Sequence, residues 1–200
     1  MNPPKTSSEE YRETSNEYSE SYWEEYYETN ERRTPSPFVK WCMLRTEFGK
    51  SMVDLGCGDG EDTDLIRHYH PVIGIDSGTE PKGYSDEGPF SKSFIKGDIL
   101  DAPEADYYYA RFLFHAIPEE LEDKLLDKIS GTLLLETRII GDDSFEDDHY
   151  RRLIDPEKFK KKLAEKGFEI LEEEQGRGLA PYKGQDPLVM RIIAIKEATK

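Results

Sequence analysis

The sequence predicts an α/β fold: a seven-stranded, mostly parallel sheet with helices on both faces and an antiparallel last strand. Three observations predict it. Short apolar runs at 51–55, 72–75, 94–97, 107–113 and 132–137 alternate with stretches of helical spacing, the pattern of strands joined by crossover helices. A glycine-rich turn, Gly56-x-Gly58-x-Gly60, follows the first run at once. The last two runs, 169–173 and 189–196, have no helix between them and therefore pair antiparallel.

The elements follow in order. Residues 1–16 are rich in Pro, Ser, Thr and Glu and read as a disordered tail. Over 17–30, Tyr18, Tyr22 and Tyr26 recur every fourth position and Trp23 and Tyr27 widen the stripe, so a helix with one aromatic face is expected. Pro35 and Pro37 break it. A second helix is expected over 38–48, with Val39, Cys42 and Met43 on one side. The strand over 51–55 leads through the glycine turn into a helix over 61–69, and the strand over 72–75 leads into a loop over 77–93, a surface connection or a lid. In the helix over 118–129, Pro118 suits the first turn, Leu121, Leu125 and Ile129 share a face, and Gly131 stops it. Asp155 caps a helix opening at Pro156, with Phe159 and Leu163 inward and Gly167 at its end. The chain thus divides into the tail 1–16 and one domain, 17–200, in which a helical cap, 17–48, precedes a ligand-binding core, 49–200. No internal repeat is visible.

Composition narrows the function. Two hundred residues suffice for one core. A formal charge of −16 argues against bulk nucleic-acid binding, which needs basic patches. The run Lys158-Phe159-Lys160-Lys161-Lys162 reads as a solvated helix face. No apolar run approaches the ~18 residues of a membrane span, and the first residues are too polar for a signal peptide. Cys42 and Cys57 show neither metal nor disulfide spacing, which fits a reducing cytoplasm. No metal site is expected.

The chemistry concentrates at Val53-Asp54-Leu55-Gly56-Cys57-Gly58-Asp59-Gly60. Gly56, Gly58 and Gly60 allow a sharp turn and close approach of a ligand to backbone, and the helix N-terminus beyond offers free N–H groups. Cys57 supplies the small side chain such a loop wants. Asp54 places a carboxylate beside the loop, unsuited to a phosphate and suited to a cationic end such as that of an amino acid. The second strand ends in Asp76, whose carboxylate can accept both hydroxyls of a ribose. A dinucleotide loop would want Gly-x-Gly-x-x-Gly, and Glu61 stands where the last glycine belongs; a P-loop would want Lys-Ser or Lys-Thr after the glycines. A ligand-free turn would not call for Asp76. Amino-acid end, ribose and adenine together describe S-adenosylmethionine.

These residues, with Gly74-Ile75-Asp76 and Gly97-Asp98-Ile99, resemble the class I S-adenosylmethionine-dependent methyltransferases over about 38–197. The resemblance implies a Rossmann-like sheet. It also implies that the glycine loop (Asp54, Gly56, Cys57, Gly58, Gly60) holds the methionine part and that Asp76, with Ser77 beside it, holds the ribose. Asp98 meets the adenine amino group and Ile99 packs on the ring. Arg111, just past the fourth strand, is expected to reach both cofactor and acceptor.

The acceptor belongs beyond the carboxyl ends of the strands. Ala110-Arg111-Phe112-Leu113-Phe114-His115 lacks the Asn/Asp-Pro-Pro-Tyr pattern of base-amino methyltransferases. Arg111, His115, Arg138, His149, Arg151 and Arg152 fall near one predicted edge. If they converge, they form a cationic pocket selecting a phosphate or carboxylate; if each arginine pairs with a neighbouring acid such as Glu136, Asp142, Asp143 or Asp148, they do not. His115 and His149 are the candidate bases, whereas His68 and His70 read as surface residues. Tyr182 is a candidate acceptor contact, and the family resemblance implies that the aromatic helix lies over the cofactor mouth, which makes Tyr22 and Tyr26 candidate contacts as well. Tyr22-Trp23-Glu24-Glu25-Tyr26-Tyr27, Pro35-Ser36-Pro37-Phe38, Ala110-Arg111-Phe112 with His115, Leu135-Glu136-Thr137-Arg138 and His149-Tyr150-Arg151-Arg152 resemble small methyltransferases encoded with bacterial surface-polysaccharide genes, some linked to O-methyl phosphoramidate capsule decoration. The expected activity is therefore O-methylation of a small anionic acceptor in the cytoplasm. Methylation of a protein side chain or terminus, and a silent cofactor-binding partner module, remain as alternatives.

Overall fold

The computed structural model describes residues 34–78, 88–143, 152–182 and 184–197. The expected tail, the aromatic helix of 17–30 with Tyr22 and Tyr26, the segment 79–87 of the long loop, and His149 and Arg151 lie outside the described residues.

Seven strands build the sheet: β1 Met52–Leu55, β2 Val72–Asp76, β3 Lys92–Lys96, β4 Tyr107–Arg111, β5 Gly131–Arg138, β6 Glu169–Gly176 and β7 Val189–Lys196. Their order is β3-β2-β1-β4-β5-β7-β6. The first five pair in parallel, and β7 runs antiparallel to both β5 and β6. The chain reverses its direction of winding between β1 and β4, which opens a crevice at their carboxyl ends.

Side-chain alternation gives the sheet two buried faces. On one, Met52, Tyr109, Leu134 and Ile193 pack against Phe38, Val39 and Cys42 of helix α1 (Pro37–Met43) and Ile66 of α2 (Glu61–Ile66). On the other, Val53, Tyr108, Leu133 and Ile192 meet Leu125 and Leu126 of α3 (Glu119–Lys128) and Phe159 and Leu163 of α4 (Pro156–Glu165). Residues that are neighbours in sequence thus serve opposite layers, so a one-residue slip would exchange the two cores.

Local chemistry explains the helix ends. Ser36 caps α1 by accepting from Val39 N–H, and Asp155 caps α4 by accepting from Glu157 and Lys158 N–H, each with proline in the first turn. Both early helices stop short of their expected ends. α1 ends at Met43 because Arg45 N–H and the Thr46 hydroxyl both turn back to the Cys42 carbonyl. α2 ends at Ile66, where His68 and Tyr69 N–H form tight bonds to the carbonyls of Leu65 and Ile66 ahead of Pro71. Pro118 precedes α3 in extended backbone as its N-cap instead of opening it. β4 ends at Arg111 instead of Leu113, because Phe112 takes a φ of 57°. β6 runs on to Gly176, hidden in the sequence by its glutamates.

His70 corrects its surface assignment. It is fully buried, with Nδ1 on the Lys50 carbonyl (3.0 Å) and Nε2 on the Thr46 hydroxyl (2.9 Å). Among the described residues no helix is long and apolar enough to cross a membrane.

Candidate functional site

At the carboxyl ends of β1, β2, β3 and β4 lies a cavity of about 640 Å³. The strands end side by side, so residues at and just past their ends line it together. Asp54 comes from β1, Asp76 and Ser77 from the end of β2, Asp98 and Ile99 from just past β3, and Arg111 and Phe112 from the end of β4. Of the expected cofactor residues, Asp54, Gly56, Cys57, Asp76, Ser77, Asp98, Ile99 and Arg111 line the cavity. Gly58 and Gly60 shape the loop behind it.

The loop forms as the glycines require. Gly56, Gly58 and Gly60 have φ of 68°, 53° and 77°, the left-handed region that a side chain disfavours. Gly56 and Cys57 N–H both donate to the Ile75 carbonyl (2.8 and 3.2 Å), seating the loop on β2. A Cβ at Gly74 would lie 2.9 Å from Cys57 Sγ, so loop and strand touch without room for a side chain. Burial pushes the Cys57 thiol up, which suits packing and not nucleophilic chemistry.

The three carboxylates sit in different settings. Asp54 is almost wholly buried and accepts from the Thr63 hydroxyl at 2.6 Å. Burial pushes its pKa up to about 8, the Thr63 bond opposes the rise, and Asp62, Asp76 and Asp59 add to it. Asp76 accepts from Gly58 N–H and Gly78 N–H, both at 2.9 Å, which fixes its carboxylate beside the glycine loop. Asp98 accepts from Leu100 N–H at 2.8 Å and caps the short 3-10 turn Ile99–Asp101, so the turn that carries Ile99 is tied to the acid before it. Ile99, Leu113, Ile117 and Leu121 give the cavity an apolar side. Acids outnumber bases around the rest, where Asp59, Glu61 and Asp62 join the three strand-end acids against Lys96 and Arg111.

The expected cationic cluster does not assemble among the described residues. Arg111 lines the cavity and donates to Glu136 at 3.0 Å. Arg138 and Arg152 lie off the cavity wall, Arg138 with Asp142 at 3.1 Å and Arg152 with Glu122. Pairing with acids, the second sequence expectation, describes all three. His115 is 4% exposed and is not part of the wall. Its Nδ1 accepts from Arg138 N–H (3.3 Å) beside the Thr137 hydroxyl (3.1 Å), and its ring meets the edge of Phe112. Tyr182 does line the cavity, together with Pro181.

Sequence reasoning misses a second wall. Asp62, from the first turn of α2, accepts from Ser36 N–H (2.7 Å), the Ser36 hydroxyl (2.8 Å) and the Tyr109 hydroxyl (2.6 Å). These bonds hold residues 34–37 against the cavity. Nothing in the sequence ties residue 36 to 62 and 109. The available signal is only a buried-strand tyrosine whose hydroxyl needs a partner.

No protein-family model matches the sequence. Solved structures do. A methyltransferase of the S-adenosylmethionine-dependent type from Methanosarcina mazei superposes with TM-score 0.64 at 14% identity, covering 80% of this chain and 98% of its own. The 1,6-didemethyltoxoflavin-N1-methyltransferase of Burkholderia thailandensis, solved with 1,6-didemethyltoxoflavin and S-adenosylhomocysteine, gives 0.65 at 13%, covering 99% and 94%. The magnesium protoporphyrin IX methyltransferase of Synechocystis, solved with S-adenosylmethionine, gives 0.58 at 17%, covering 80% and 76%. The chain has the fold of the S-adenosylmethionine-dependent methyltransferases.

Proposed function

We propose that the protein is an S-adenosylmethionine-dependent methyltransferase acting on a small acceptor. The observation that carries this reading is the row of acids at successive strand ends, Asp54, Asp76 and Asp98, in one cavity with the apolar Ile99 side. Their order along successive strand ends and their chemistry fit the three parts of the cofactor: a carboxylate for the ammonium end, one for the ribose hydroxyls, and an acid beside an apolar face for adenine. An acidic wall also favours a ligand that carries a sulfonium cation. Two of the fold neighbours named above were solved with S-adenosylhomocysteine or S-adenosylmethionine bound and act on small molecules by their names, which supports the same reading.

The cofactor supplies an electrophilic methyl group on sulfur. The protein's part is to hold the acceptor nucleophile in line with that methyl and to keep water out. Arg111 and Tyr182 both line the cavity, and an acceptor bearing a phosphate-type or carboxylate group, of the kind met in surface-polysaccharide modification, sets its anion against Arg111. Oxygen of such a group needs no base for transfer, in keeping with the placement of His115 off the wall. The test is calorimetric titration with S-adenosylmethionine and S-adenosylhomocysteine, with Asp76→Ala alongside. Binding that the substitution abolishes supports the reading. Equal binding by both proteins, or none by the folded wild type, overturns it.

A further inference from the structure

We infer that Glu136 is a positioning residue that sets the acceptor end of the cavity, holding Arg111 in its lining and, through Arg191, the arm of residues 179–182. The inference rests on the methyltransferase reading above and adds to it a residue that touches neither cofactor nor acceptor.

The geometry begins with strand register. Arg111 pairs with Glu136 across β4 and β5, Glu136 with Arg191 across β5 and β7, and Arg191 with Glu174 across β7 and β6. Paired positions share a face, so four side chains of alternating charge form one row over the sheet. Glu136 is fully buried in the middle. Its Oε1 accepts from Arg111 Nε at 3.0 Å and its Oε2 from Arg191 Nε at 2.8 Å. The row ends in Glu174, 3.6 Å from Arg191 at the exposed sheet edge.

Each arginine carries the position outward. The Arg111 guanidinium lies 4.5 Å over the Phe112 ring, and both residues line the cavity. Phe112 is the non-glycine residue with positive φ among the described residues, and its N–H donates to the Glu136 carbonyl at 2.8 Å. Backbone and side chain of Glu136 therefore both hold the strained turn after β4. On the other side, Arg191 Nη2 donates to the Leu179 carbonyl at 2.6 Å, two residues before Pro181 and three before Tyr182, which line the cavity. Arg191 also lies over the rings of Phe38 and Trp41, which cap the row with apolar cover. A carboxylate in such a place costs desolvation energy, which cations on both oxygens offset. Burial raises the Glu136 pKa while the two arginines oppose the rise. The arrangement is what a fixed guanidinium at a binding wall needs.

The experiment compares wild type, Glu136→Gln and Arg191→Lys as full-length folded proteins, with S-adenosylhomocysteine and inorganic phosphate as probes. The Glu136→Gln side chain keeps one acceptor but turns an amide toward the other arginine. The proposal expects S-adenosylhomocysteine affinity within about twofold of wild type in both variants, because Asp54, Asp76 and Asp98 are untouched and the proposed function sets Arg111 against the acceptor's anion. It expects phosphate binding to the loaded protein to weaken roughly 10- to 100-fold, by analogy with the loss met when groups that orient metal-binding side chains are removed. Arg191→Lys serves where Glu136→Gln does not fold. A merely structural Glu136 would weaken both probes together. Phosphate binding equal to wild type in a folded variant, or no phosphate binding by the wild type, overturns the proposal. Absence of S-adenosylhomocysteine binding by the wild type instead counts against the methyltransferase reading, and phosphate titration of the unloaded proteins then still reads the part played by Glu136.

Discussion

Asp54→Asn is expected to stabilise the cofactor-free protein increasingly as pH rises toward about 8, already at neutral pH, while weakening its affinity for cofactor. Asp54 is 2% exposed and its pKa is raised from 3.8 to about 8, chiefly by burial. The unfolded chain releases this proton near 3.8 and the folded chain near 8. Between those values the folded state holds one more proton, so raising the pH favours unfolding by about 1.4 kcal/mol per pH unit. Stability linked to this group is whole below the unfolded pKa, and roughly 4 kcal/mol of it has gone at neutral pH. Asparagine keeps an oxygen for the Thr63 hydroxyl and cannot ionise. Urea unfolding followed by circular dichroism from pH 5 to 9, without cofactor, should give a wild-type stability that falls relative to Asp54→Asn up to about pH 8 and parallels it beyond. Binding of S-adenosylmethionine near pH 7 should release about one proton as its ammonium group favours the carboxylate, read by calorimetry in buffers of different ionisation enthalpy. Parallel stability profiles through the whole range, with no proton release, would refute the assignment of a neutral Asp54 in the empty site.

Three further outcomes are expected. Asp76→Ala removes the acceptor of Gly58 and Gly78 N–H, and titration should show cofactor affinity lowered by about 100-fold or more, the cost of roughly two lost hydrogen bonds to a charged group. Gly74→Ala sets a Cβ 2.9 Å from Cys57 Sγ and should cost about 1–3 kcal/mol by urea unfolding; adding Cys57→Ala should restore most of it. Burial lowers the His70 pKa, against the Lys50 carbonyl that favours the charged form. Its contribution is therefore present above the unfolded value of 6.5 and is lost as pH falls through the lower folded pKa, so His70→Gln should flatten the acid limb of the stability profile.

The parts of the fold legible in the sequence are those with a local cause. The seven strands, the glycine turn, the cap at Asp155 and the strand-end acids all follow from neighbours within a few residues. The places where reading fails depend on partners far along the chain. His70 looks exposed in the sequence because nothing nearby announces that Thr46 and Lys50 enclose it. β6 looks short because Glu172, Glu173 and Glu174 mask a strand whose pairing comes from β7. The sequence leaves open whether the arginines converge or pair with acids, because Glu136 and Glu122 reach Arg111 and Arg152 only through sheet register or helix packing, whereas Asp142, four residues past Arg138, is a local partner. The proposed cofactor side is legible as a motif, whereas the proposed acceptor side draws on β4, β5, β7 and two loops and carries no compact signature.

The most direct measurement is a crystal structure of the protein with S-adenosylhomocysteine. The account predicts the ligand in the strand-end cavity, its ribose hydroxyls within hydrogen-bond distance of Asp76, its adenine against Ile99 with Asp98 at the amino group, and its amino-acid end beside Asp54 and the glycine loop. A ligand seated elsewhere, or in the cavity with these carboxylates turned away from it, would contradict the account.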